Sequence, residues 1–161
     1  MNTAASSTVH ATNGLTELEY EISWDTDRID RAYVHRFLAT ESYWASDIPF
    51  EVVDRSIDHS LNFGVYISDR GTQVGFGRVI TDQATFAFIR DVFIDQEHRG
   101  NGLGAILVSA MLDHPSLQGL RRIMLATKDA HGLYERFGFA PLRRPDRFLS
   151  QEHSAKELYG Q

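Results

Sequence analysis

The sequence predicts a mixed α/β domain built on a mostly antiparallel sheet that ends in one parallel pair of strands. Alternating apolar residues separated by turn signals fill residues 61 to 94, which is typical of antiparallel hairpins. At Gly100, Gly102 and Gly104 the hydrophobic period changes from two to 3.6, which predicts a strand followed by a helix. A further strand over residues 121 to 127 follows that helix, and such a crossover makes its two strands parallel.

The length and composition predict one domain. The chain has 161 residues, 42% of them hydrophobic, which suits a single ordinary core. Residues 1 to 16 are small, polar and without a period, which predicts a flexible leader followed by a single domain at residues 17 to 161.

Charge and residue usage exclude several classes of function. A net charge of −6 argues against nucleic acid and anionic membranes as partners, and it favours a cationic, amine-bearing substrate. The absence of cysteine excludes disulfides and thiolate nucleophiles, and the seven histidines lack metal-site spacing, so we expect no metal. No apolar run has the length of a membrane span and no signal peptide begins the chain, so we expect a cytoplasmic protein.

The remaining elements follow from periodicity and turn residues. Asp25 or Asp27 is expected to cap the first helix and Asp129 a short late one. Gly75 and Gly77 indicate either a bulge or close packing within a strand. In chain order we predict a strand at 18–22, helices at 25–40 and 49–57, strands at 61–67, 74–80 and 86–94, a helix at 103–111, a strand at 121–127, a short helix at 129–138, and final strands at 139–142 and 148–150.

The glycine-rich turn is a candidate anion site. The first amides of a helix lack partners and lie at the positive end of its dipole, and glycines let a phosphate approach them. The alternative is a purely structural turn. Residues 100 to 105 satisfy the loose dinucleotide fingerprint, but the acid expected about twenty residues later is missing, because Leu125 occupies that region. Starting at Arg99, the same turn is Arg-x-x-Gly-x-Gly.

Two motifs together resemble the GNAT superfamily of acyl-CoA N-acyltransferases. The first is the turn at residues 99 to 104, and the second is residues 130 to 139, which resemble the family's Ala-x-x-x-Tyr-x-x-x-Gly-Phe segment. The resemblance covers roughly residues 17 to 150. It implies a GNAT-like fold in which helices cover both faces of the sheet and the parallel strands splay apart.

The resemblance also implies a cofactor site for acetyl-CoA. The pantetheine arm is expected along Val92, Phe93 and Ile94, between the splayed strands. Tyr134 matches the family's general acid, although its spacing also suits a packing residue. Thr127 stands where many members have an asparagine that contacts pantetheine. The pyrophosphate is expected on the turn formed by Arg99, Gly100, Asn101, Gly102, Leu103 and Gly104.

The general base is left open. Asp91, beside the cofactor strand, is the first candidate, but it could equally pair with Arg78 or Arg90; Glu41 and His131 are alternatives.

The acceptor side is also left open. Tyr43 and Trp44 are either core aromatics or the wall of the acceptor site, the position that the resemblance implies for the segment between the first two helices. The resulting hypothesis is transfer of an acetyl group from acetyl-CoA to a primary amine of a small molecule or to an exposed protein or peptide amino group. The alternative is a non-catalytic acyl-CoA-binding module. Exposed C-terminal edge strands could also pair in a homodimer.

Overall fold

A mixed six-stranded sheet forms the centre of the part of the chain, residues 6–12 and 17–160, that the computed structural model describes. Its strands lie side by side in chain order, and all neighbours are antiparallel except the last pair, which is parallel. The predicted sheet is therefore confirmed. The strands are β1 (Ser6–Thr12), β2 (Glu17–Ser23), β3 (Leu61–Ile67), β4 (Gln73–Thr81), β5 (Phe86–Ile94) and β6 (Arg122–Leu125).

Helices cover both faces of the sheet, as predicted. On one face, α3 buries Leu107 and Met111 against the first core cluster, and on the other Phe37 of α1 and Val53 of α2 pack into a second cluster around Phe76. The helices are α1 (Arg31–Thr40), α2 (Phe50–Asp58), α3 (Leu103–Leu112), α4 (His131–Glu135) and α5 (Ala155–Tyr159).

Two predicted caps are corrected. Asp30 caps α1, accepting the Tyr33 amide at 2.9 Å, whereas Asp25 caps a separate 3-10 turn at Thr26–Arg28. Asp129 does not cap α4, because the amide of Ala130 donates to the Thr127 hydroxyl at 3.0 Å instead. Thr127 therefore fixes the turn that leads into α4.

The parallel pair opens partway along β5. Phe86 to Ile89 pair with Arg122 to Leu125, but β6 ends there and residues 90 to 94 of β5 continue without a β6 partner. This is the predicted splay.

A bulge lies beside the splay, at Gly77 and Asp91. The register of β4 and β5 shifts there, and Asp91 has φ +54°. A Cβ atom on Gly77 would meet the side chains of Met111 and Val92, so the two interpretations of Gly77, bulge and close packing, both hold.

Two sequence predictions about the chain ends differ from the structure. Residues 6 to 12, which were expected in a flexible leader, form edge strand β1. No sequence pattern indicates this strand, because pairing through backbone groups needs no apolar period. The rest of the predicted leader, residues 1–5 and 13–16, lies outside the described residues. The final strands at 139–142 and 148–150 are absent from the described residues; a 3-10 turn (Pro145–Arg147) lies between these two stretches, and α5 follows them. A strand needs a partner, and these stretches have none within the described residues.

Candidate functional site

Two neighbouring cavities surround the splay and meet at Tyr134. We call them the glycine-loop cavity, of about 460 Å³, and the aromatic cavity, of about 410 Å³. The residues that line both are Val92, Asp129, Ala130 and Tyr134. A ligand that fills the first cavity therefore reaches the second beside Tyr134.

The glycine loop presents an open helix N-terminus to its cavity. Gly102 is the N-cap of α3 with φ +74°, Gly100 has φ +83°, and no described side chain caps the helix. Only glycine adopts these backbone angles without strain. The first amides of α3 therefore remain free, at the positive end of the helix dipole.

Two side chains hold this loop in shape. Arg99 donates from Nε to the carbonyl of Ile94 at 2.9 Å, and Asn101 donates from Nδ2 to the carbonyl of His98 at 3.2 Å. The Arg99 head group thus stays at the mouth of the glycine-loop cavity, where its remaining N–H groups add positive charge.

The splayed end of β5 offers backbone rather than side chains. Phe93 is buried and stacks on Phe37 with ring centroids 3.6 Å apart, and Ile94 packs into the other cluster. Val92, Phe93 and Ile94 all line the glycine-loop cavity. Because residues 90 to 94 have no partner on the β6 side, an extended ligand could pair with this edge.

Tyr134 is a buried phenol between the two cavities. It is 8% exposed and meets Phe139 edge to face at 5.9 Å. Burial, with a smaller contribution from Tyr43, raises the pKa of Tyr134 to about 12. The phenol therefore keeps its proton at neutral pH and is present as a proton donor.

Asp91 is held by two partners. Its Oδ2 accepts from Nε of Arg78 at 2.6 Å and its Oδ1 accepts from Nε1 of Trp44 at 2.9 Å. The side chains of Asp91 and Arg78 are only 6% and 12% exposed. Of the alternatives left open, pairing with Arg78 is the one observed. The carboxylate fixes Trp44 against the bulge.

Tyr43 and Trp44 both line the aromatic cavity. Tyr43 is 54% exposed and meets Trp44 edge to face at 5.0 Å, while Trp44 is half-buried against the second core cluster. The backbone N–H of Lys128 donates to the Tyr43 hydroxyl at 3.3 Å, and the Lys128 ammonium lies 5.3 Å from the centre of the Tyr43 ring.

The other candidate bases lie elsewhere. Glu41 is the C-cap of α1 and lines neither cavity, and His131 lines a third cavity behind β6. Thr127 does line the aromatic cavity.

Sequence reasoning missed three charged residues that line the aromatic cavity, namely Arg90, Lys128 and Asp129. Asp129 looked like a helix cap, and no motif marks Arg90 or Lys128. A sequence signal was nevertheless available, because Lys128 and Asp129 directly follow Thr127 and precede the second motif.

Comparison with known proteins defines the class. The model of the acetyltransferase (GNAT) family matches residues 20–139, about three quarters of the chain. This chain therefore belongs to the GNAT family of acetyltransferases. A provisionally named acetyltransferase, FG08082 from Gibberella zeae, is 30% identical over 139 residues, covering 74% of this chain and 77% of the relative.

Solved structures share the fold. A provisionally assigned GNAT acetyltransferase from Xanthomonas campestris pv. campestris is 46% identical with a TM-score of 0.84, covering 88% of this chain and 97% of the other. A predicted acetyltransferase from Clostridium acetobutylicum, solved with acetyl-CoA, shares the fold at 15% identity and a TM-score of 0.61, covering 83% of this chain and 94% of the other.

None of the described helices is long and apolar enough to span a membrane. Within the same ranges, no group of three or more histidine, aspartate and glutamate side chains could hold a metal ion.

Proposed function

We propose that this protein transfers the acetyl group of acetyl-CoA to a primary amine, on a small molecule or as an exposed amino group of a peptide or protein. The observation that carries the proposal is the meeting of the two cavities at Tyr134. Family membership supports acetyl transfer, and the acetyl-CoA bound to the Clostridium protein of the same fold supports acetyl-CoA as the co-substrate.

In this proposal the glycine-loop cavity holds acetyl-CoA. The pyrophosphate lies on the free amides at residues 100 to 104, with Arg99 beside it. The pantetheine arm extends along the free edge of Val92 to Ile94, so the thioester reaches Tyr134. The amine enters from the aromatic cavity, between Tyr43 and Trp44.

The reaction is then a direct transfer. The neutral amine attacks the thioester carbonyl, a C–N bond forms, and the C–S bond breaks as the oxyanion collapses. Tyr134 donates its proton to the departing thiolate, and the amine loses one proton. Because both oxygens of Asp91 are occupied, we assign Asp91 to positioning Trp44 and assign the proton of the amine to Asp129, the exposed carboxylate that lines both cavities.

The test uses Tyr134→Phe, which keeps the ring and removes only the hydroxyl. The wild-type protein should release thiol from acetyl-CoA with at least one amine of a mixed panel. The variant should lose turnover by ~10²-fold or more, the effect of a lost general acid, while calorimetric CoA affinity and melting temperature stay nearly unchanged.

Two outcomes contradict parts of the proposal. Full turnover in Tyr134→Phe would remove the acid role from Tyr134. CoA binding without transfer to any amine would make the chain an acyl-CoA-binding module instead of an enzyme.

A further inference from the structure

The charges around the aromatic cavity differ from those of the whole chain. Four charged side chains line it, namely Arg90, Asp91, Lys128 and Asp129. Asp91 is neutralised by Arg78. Neither Arg90 nor Lys128 forms an ion pair with a residue in the described ranges, so two uncompensated cations face one free carboxylate. The wall is net positive although the chain carries −6.

The free carboxylate and the two cations occupy different places in the aromatic cavity. Asp129 lies where the aromatic cavity joins the glycine-loop cavity, beside Tyr134. The Lys128 ammonium covers the Tyr43 ring, and the Arg90 guanidinium lies 5.9 Å from the Phe88 ring. The aromatic face of Tyr43, which would otherwise suit a substrate cation, is already occupied by a cation of the protein.

We propose that the acceptor is an amine that also carries an acidic group, a carboxylate or a phosphate; this inference rests on the proposed function. Its amino group lies at Asp129, next to the thioester, and its acidic group is held by Lys128 and Arg90. A second ammonium on the acceptor would meet these same cations. The net charge favoured a cationic, amine-bearing substrate, and the local charges add an acidic group to that expectation.

The experiment compares acceptors that differ only in the acidic group, such as α-amino acids with their carboxamides and phosphoethanolamine with ethanolamine. Wild-type kcat/KM should be at least roughly tenfold higher for the acidic member, the effect of a hydrogen bond to a charged group. Lys128→Gln and Arg90→Gln should each lower kcat/KM for the acidic member much more than for the neutral member, and so remove most of that preference. Lys156→Gln, at the only other lysine in the chain, is the control.

The possible outcomes distinguish a failure of this inference from a failure of the proposed function. Preferential turnover of neutral or dicationic amines overturns this inference and leaves acetyl transfer intact. A preference for acids that survives both substitutions overturns the roles of Lys128 and Arg90. Absence of turnover with every amine, despite CoA binding, defeats the proposed function and this inference with it.

Discussion

Replacing Asp91 by asparagine tests whether this residue positions Trp44 or acts as a base. Asparagine tolerates the left-handed backbone at φ +54°, so the change removes charge without adding backbone strain. The amide oxygen can still accept one of the two hydrogen bonds. What remains is the Arg78 guanidinium, 12% exposed and without its counter-charge.

The expected cost follows from that burial. Removing one partner of a buried ion pair costs about 3–5 kcal/mol, and the retained hydrogen bond places this case near the lower end, about 3 kcal/mol. In a chain of 161 residues, 1 kcal/mol shifts the melting temperature by about 2–4 °C, so Asp91→Asn should melt about 6–12 °C lower. Asp91→Ala should lose a further ~1–2 kcal/mol, because alanine is strained at positive φ.

Thermal unfolding and acceptor kinetics on the same samples distinguish the roles. If Asp91 positions Trp44, its loss raises KM for the acceptor and leaves the shape of the pH–rate profile unchanged. Adding Arg78→Met to Asp91→Asn should restore much of the stability, because no buried charge remains. An unchanged melting temperature, together with a hundredfold fall in kcat and loss of the acidic limb of the pH profile, would refute the positioning role.

Two further predictions concern the glycine loop and the buried tyrosines. Gly102 and Gly119 have φ +74° and +73° in open surroundings, so Gly102→Ala and Gly119→Ala should each lower the free energy of unfolding by about 1 kcal/mol. Only Gly102→Ala should also weaken CoA binding, by tenfold or more when measured by calorimetry. Equal CoA affinities of the two variants would contradict the anion site. Burial raises the pKa of Tyr66 and of Tyr134 to about 12. Between pH 10 and 12 these two phenols therefore ionise only in the unfolded chain. The free energy of unfolding should fall there by about 1.4 kcal/mol per pH unit for each phenol. Urea unfolding at pH 9 and 11 measures this fall, which Tyr66→Phe should make shallower; an unchanged slope in that variant would contradict it.

The sequence predicted those features that depend on local pattern. The alternation of Phe63 and Val65 predicted the core strands. The glycines before α3 predicted the central helix and the loop beside it. The same reasoning failed where a partner decides the structure. Edge strand β1 forms through backbone pairing that leaves no hydrophobic period, and residues 139–142 have strand composition but no strand beside them in the part of the chain that the structure describes.

The candidate site shows the same division. Tyr134 and the turn at residues 99 to 104 were visible because they form motifs. The hydrogen bond between Asp91 and Trp44 could not be predicted, because Trp44 lies 47 residues away in sequence and the two side chains meet only in the folded protein. Asp129 was mistaken for a cap because a neighbour, Thr127, makes the hydrogen bond that a cap would make.

The bulge at Asp91 also determines on which face of the sheet the following side chains of β5 lie. In a regular strand Ile89 and Phe93 would point to the same side, since side chains alternate with a period of two. Here Ile89 joins the cluster beneath α3, whereas Phe93 joins the cluster beneath α1 and Ile94 returns to the first. If the same residues formed a regular strand without the bulge, Phe93 and Ile94 would exchange layers. The layer that each side chain enters therefore depends on the extra residue that the bulge at Asp91 takes up as much as on which residues they are.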